Sequence, residues 1–309
     1  MGLKWVAKAA VQKGISVLPG SDRLNHVLQQ RVSRSVQIDD EFIERRVEWA
    51  GMHLQAFRRH GRADGPFTAV ELGTGWFPFV PSLLYLAGAE QVRMLDRVDH
   101  GQTDFTLTTI DRVLERVADG SVEAHLGPVD PERVRRLGTA REQVASGDRL
   151  GGLASVGLDL CIGDATTLEL DDVPDLICSN AVFEHLPRPV LEGILRRFEE
   201  LSTPGTVMSH LVDMCDHYAY ADSTVGVYHF LRYSDRAWKL IDNDLQPMNR
   251  LRANEYRDLY QQLGIPVTEE HLTANSAAEL DGTPLAPRFA AMDLDDVAAT
   301  TAWFVSASA

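Results

Sequence analysis

The sequence predicts an α/β protein built on a parallel sheet with helices on both faces, and three observations lead there. From Ala69 onward, short β-branched or apolar runs alternate with longer segments of helical period, the pattern of strands buried on both faces. The first run ends in Gly73-Thr74-Gly75 and restarts at helical spacing, and the second closes on an acid, Asp96. The composition, 44% hydrophobic and 24% charged over 309 residues, suits a globular chain with a sizeable core.

In chain order, strands are expected at Ala69–Leu72, Gln91–Leu95, Leu158–Ile162, Leu176–Cys178, Thr206–Leu211, Thr268–Leu272 and Ala302–Ser306. The clearest helix lies between the fourth and fifth. Leu191, Ile194, Leu195, Phe198 and Leu201 recur at intervals of three and four until Ser202-Thr203-Pro204-Gly205 stops the run. A second helix, Asn254–Leu263, ends at Gly264 as a left-handed cap requires. Residues 1–66 read as an N-terminal helical extension able to act as a lid, its first twenty residues forming an amphipathic helix. Residues 67–309 form the main domain. Within it, 97–157 exceed what a strand-helix-strand unit needs by a few tens of residues. That insertion, with "LTTIDRVLERVADG" and "DPERVRRLGTAREQVASG", predicts two helices near the sheet edge.

A net charge of −15, from 45 acidic against 30 basic residues, argues against a nucleic-acid partner. No stretch is apolar for long enough to span a bilayer, and no cleavage site follows the N-terminal segment, so a cytoplasmic protein is expected. Cys161, Cys178 and Cys215 lack metal-finger or CxxC spacing and read as buried thiols. A homodimer is left open.

A strand ending in glycines lets backbone approach a ligand closely, near the positive end of the following helix. An acid about 20 residues on, here Asp96, can take the hydroxyls of a ribose. A dinucleotide fingerprint fails because its third glycine is Pro78, and no Gly-Lys-Ser/Thr follows for a phosphate loop. Glu71, beside the turn, suits a ligand bearing an ammonium group.

In their order, "VELGTG", "VRMLD", "CIGDATTL" and "LICSNAVFEHLPRP" resemble the class I S-adenosylmethionine-dependent methyltransferases. The resemblance implies a Rossmann-like seven-stranded sheet, its last strand antiparallel and inserted between the fifth and sixth. It implies S-adenosylmethionine as cofactor, held by Glu71, Gly73, Thr74 and Gly75, by Asp96 with Arg97, by Asp164 and Ala165 on the adenine side, and by Ser179, Asn180 and His185. Phe77 stands where the family often has a small residue, within the bulky Trp76-Phe77-Pro78.

Methyl transfer depends mostly on positioning, and a hydroxyl acceptor also needs a base. "SHLVDMCDHYAYADSTVGVYHFLRYSD", following the fifth strand, holds the candidates His210, Asp213 and His217. Three readings stand: His210 or His217 as a base oriented by Asp213 or Asp216; a divalent ion on His210, Asp213, Asp216 and His217; or polar groups capping the loop. The second matches no established spacing, so no metal ligand is assigned. Tyr218, His229, Arg250 and Arg252 are candidates for contact with the substrate, a small molecule methylated at oxygen, such as a secondary metabolite or a sugar-containing compound. Carbon methylation of an isoprenoid or polyketide, or cofactor binding without turnover, are the alternatives.

Overall fold

A computed structural model describes residues 38–62, 65–220, 222–243, 247–275, 280 and 282–308. The amphipathic helix expected at the extreme N-terminus lies outside them.

The chain enters on α1 (Asp40–His60), where the Asp39 side chain accepts the Phe42 amide at 2.8 Å. Acids in its first turn and Arg58, Arg59 and His60 in its last complement the helix dipole. Then follow β1 (Phe67–Leu72), α2 (Phe79–Leu86), β2 (Ala89–Asp96), α3 (Thr103–Ala118), α4 (Glu123–Leu126), α5 (Pro131–Ala145), α6 (Arg149–Ala154), β3 (Leu158–Ile162), β4 (Leu176–Asn180), α7 (Arg188–Leu201) and β5 (Val207–Asp213). The rest is α8 (Asp235–Ile241), α9 (Ala253–Leu263), β6 (Glu269–Ala274), α10 (Pro287–Ala290), α11 (Leu294–Ala298) and β7 (Ala299–Ala307).

All seven expected strands form, differing from expectation only at their ends. They make one sheet in the order β3-β2-β1-β4-β5-β7-β6. The first five are parallel, and β7 runs antiparallel between β5 and β6.

Alternation along the strands divides the core. Ala69, Val92, Leu176 and Val207 face a cluster with α1, α2, α3 and α5, whereas Val70, Leu95, Ile177 and Met208 face one with α7 and α9. A third cluster, containing Tyr228, Phe230, Trp238 and Phe289, lies in the segments after β5. Gly264 adopts the expected left-handed cap (φ 75°). The edge strand β6 is largely exposed and carries Glu269, Glu270 and His271, which discourages pairing with another sheet.

The insertion holds the two expected helices as α3 and α5, plus two short ones. Arg133 of α5 donates to the carbonyls of Tyr85 in the last turn of α2 and of Gly88 and Ala89 just after it, and Arg141 clasps Asp111 of α3. These contacts tie the insertion to the C-terminal end of α2 and hold its own helices together.

Cys161, Cys178 and Cys215 form no disulfide. Among the described residues, no helix is long and apolar enough to cross a membrane.

Candidate functional site

Gly73 and Gly75 both take positive φ (76° and 68°), where a side chain is strained. A Cβ on Gly73 would come within 2.5 Å of the Val182 side chain, whereas one on Gly75 would meet only a turn carbonyl at 3.9 Å. The first glycine therefore lets the loop after β4 close on the turn, and the second leaves backbone open to a ligand. The Asp96 carboxylate accepts the Gly75 amide at 3.1 Å and the Arg97 amide at 2.8 Å, fixing the turn to the end of β2. Asp164, at the end of the next strand, is exposed and caps its own short turn through the amide and hydroxyl of Thr166. Ala165 is buried behind it. Exposed Val98 and Ile162 lie just past Asp96 and beside it, an apolar surface that the strand pattern alone did not distinguish from core.

Next to the turn is a cavity of about 240 Å³ lined by Glu71, Gly73, Thr74, Gly75, Asn180 and, from α1, Phe42, Arg46 and Trp49. The α1 residues were missed in the sequence. Their spacing places them along one side of the helix, beside the buried stripe Ile43, Val47, Ala50 and Leu54, and a cation next to such a stripe was the available signal. The Arg46 guanidinium stacks over Phe42 at 3.7 Å and Trp49 at 4.4 Å, and burial pushes its pKa down to about 10, leaving it charged near neutrality. Facing it, Glu71 accepts the Thr74 hydroxyl at 2.6 Å and the Asn180 amide at 3.3 Å. Burial raises Glu71 to about 7 despite those donors.

Asn180 is held from behind. The indole of Trp303 donates to Ser209 Oγ, the Ser209 hydroxyl meets His53 Nδ1 at 2.7 Å, and His53 Nε2 meets Asn180 Oδ1 at 2.9 Å. Because indole only donates, the series is satisfied with every proton pointing toward Asn180, whose NH₂ then faces Glu71. Burial lowers His53 to about 4, consistent with the neutral ring this arrangement requires. The bulky Trp76 and Phe77 pack against Phe105 of α3, with ring centroids 5.9 and 4.8 Å apart, so the insertion accommodates what a small residue at the turn would not need.

The strand order agrees with what the motif resemblance implied. β7 lies antiparallel between the fifth and sixth strands, as the motif resemblance implied, and the glycine turn, Asp96 and Asp164 stand at the C-terminal ends of β1, β2 and β3. No family model matches the chain, and no curated protein matches it. Among solved structures it is similar to a chain of the Haloferax volcanii complex containing the Trm112 methyltransferase activator, at 17% identity, covering 87% of this chain and 93% of that one with a TM-score of 0.44. It is also similar to Haemonchus contortus phosphoethanolamine N-methyltransferase 2, solved with S-adenosyl-L-methionine (10% identity, 89% and 58% covered, TM-score 0.45). A third is the N-methyltransferase NodS from Bradyrhizobium japonicum WM9, solved with S-adenosyl-L-homocysteine (10%, 83% and 85%, 0.39). At such distances the likeness assigns neither activity nor substrate.

Several expected site residues lie elsewhere. Ser179 and His210 are fully buried and bonded to each other at 2.8 Å, with His210 stacked on Phe198; burial lowers its pKa to about 3. Their alternation along β4 and β5 turns them into the core, so neither faces the cavity. Arg252 is fully buried and donates to the carbonyls of Met214, Val297 and Ala299. Arg250 donates to the carbonyls of Phe230 and Tyr233 and pairs with Asp235. Both guanidiniums hold the segments after β5 together rather than facing a substrate. Tyr218 accepts from Asn243, and His229 meets Asp216 at 3.3 Å, within the same framework.

Asp213 and His217 do come together, with Asp213 Oδ2 3.2 Å from His217 Nε2. Asp213 also accepts the Tyr220 hydroxyl and the Cys215 amide. His185, expected on the cofactor side, packs edge-to-face on His217 at 4.9 Å, and the buried Glu184 next to it was not singled out in the sequence. Burial, helped by the Asp213 charge, raises the Glu184 carboxyl well above its ordinary range.

Proposed function

We propose that the chain is an S-adenosylmethionine-dependent methyltransferase that methylates an oxygen of a small-molecule acceptor. The observation that carries this is the cavity in which a turn with a glycine on either side of Thr74, tied to Asp96, meets an acid and a cation from separate elements. Its donor set fits the amino-acid end of the cofactor, with Glu71 for the ammonium and Arg46 for the carboxylate. Asp96 is close enough to the turn to take ribose hydroxyls, and Asp164 with Ala165 suits the adenine edge. When bound, the cofactor supplies a sulfonium methyl group, electrophilic without further activation.

The protein's remaining tasks are alignment, exclusion of water and receipt of a proton. The wall formed by α1 serves the first two, which supports reading this helix of the N-terminal extension as a cover for the site. Asp213, with His217 and Tyr220 against it, is the receiver; in support, it ends β5 on the same C-terminal edge of the sheet as the glycine turn. An acceptor-panel methylation assay with Asp213→Asn tests this. Turnover should fall by roughly 10²- to 10⁴-fold with cofactor affinity unchanged. Unaltered turnover would remove Asp213 from the reaction.

A further inference from the structure

We propose that Glu184, His185 and His217 form a binding site for one divalent transition cation of the zinc or cobalt type. Their ligand atoms lie within 4.8 Å of one another, brought together from the turn after β4 and the loop after β5. A tetrahedral ion with bonds of about 2.1 Å sets its ligands roughly 3.4 Å apart, so binding draws the three groups together by up to about 1.4 Å.

Two features point to a ligand rather than to a chance cluster. Glu184 is 3% exposed, yet neither carboxylate oxygen has a hydrogen-bond partner of ordinary geometry, and one lies 4.0 Å from His185 Nε2. Buried carboxylates are costly unless paired or coordinated. His185 has its Nδ1 on the Pro247 carbonyl at 2.7 Å, which places the proton there and leaves Nε2 with its lone pair toward the cluster. Metal-bound histidines are commonly oriented through their second nitrogen in this way. Two imidazoles with a carboxylate favour a transition cation over magnesium or calcium, which prefer all-oxygen sets. Asp213, 3.2 Å from His217, borders the site and keeps its role as proton receiver beside the ion.

Binding of the ion does not depend on the methyltransferase reading; only its place beside the acceptor does. The test is Co²⁺ titration of the metal-free full chain, followed by visible absorption and by equilibrium dialysis, for wild type, Glu184→Gln and His185→Gln. Wild type should take up one ion per chain with ligand-field bands, and each variant should bind at least tenfold more weakly while melting cooperatively. If the buried Glu184→Gln does not fold, the partly exposed His185→Gln carries the comparison. No stoichiometric uptake by wild type, or equal uptake by a folded variant, overturns the site. S-adenosylmethionine retention measured on the same samples reports the other reading separately, because failure of that retention leaves the cobalt spectrum standing.

Discussion

The ends of β1 and β2 and the ends of β4 and β5 both lie on the C-terminal edge of one sheet, yet they are built differently. Over β1 and β2 the site is made mainly of backbone: two glycines at positive φ and amides held by Asp96. Over β4 and β5 it is made of side chains whose partners come from distant parts of the sequence, such as His185 on Pro247 and against His217. Backbone geometry leaves a local signature in residue type and spacing. A side-chain network does not, because its meaning depends on which elements pack together.

Arg252 offers the strongest way to break this contrast. If it serves the framework rather than a substrate, Arg252→Met leaves three carbonyls without their donor, and urea denaturation should show a loss of about 3 kcal/mol or more. Unchanged stability with impaired substrate binding would restore the role first expected of it.

Glu71 sharpens the backbone side. Its carboxyl is raised to about 7, so the folded protein holds that proton more tightly than the unfolded chain, and wild-type stability should decline as pH rises from about 4.5 to about 7. Glu71→Gln should abolish that decline and gain up to about 3 kcal/mol at pH 8. Wild-type affinity for S-adenosylmethionine should weaken as pH falls below about 7, approaching tenfold per unit, whereas the variant should be weaker at pH 8 and nearly independent of pH. A pH-independent wild type would show that Glu71 does not face the ammonium.

These differences explain what could be read in advance. The strands and the long helices were legible because burial on both faces and helical periodicity leave regular patterns, and Gly73, Gly75 and Asp96 because a close backbone approach restricts residue type. Arg46 and His53 were not, since a polar residue next to an apolar stripe looks the same whether it meets solvent or a cavity. His210 and His217 illustrate the limit most sharply. They are equally plausible bases in the sequence, but strand alternation buries one and the turn after β5 brings the other to Asp213.

The central claim is that the glycine turn and Asp96 together hold S-adenosylmethionine. Calorimetric titration of that compound into wild type and Asp96→Ala tests it most directly. One equivalent should bind to wild type, and the variant should bind at least tenfold more weakly, a loss of about 1.4 kcal/mol or more. No binding to wild type, or equal affinity in the variant, would contradict it.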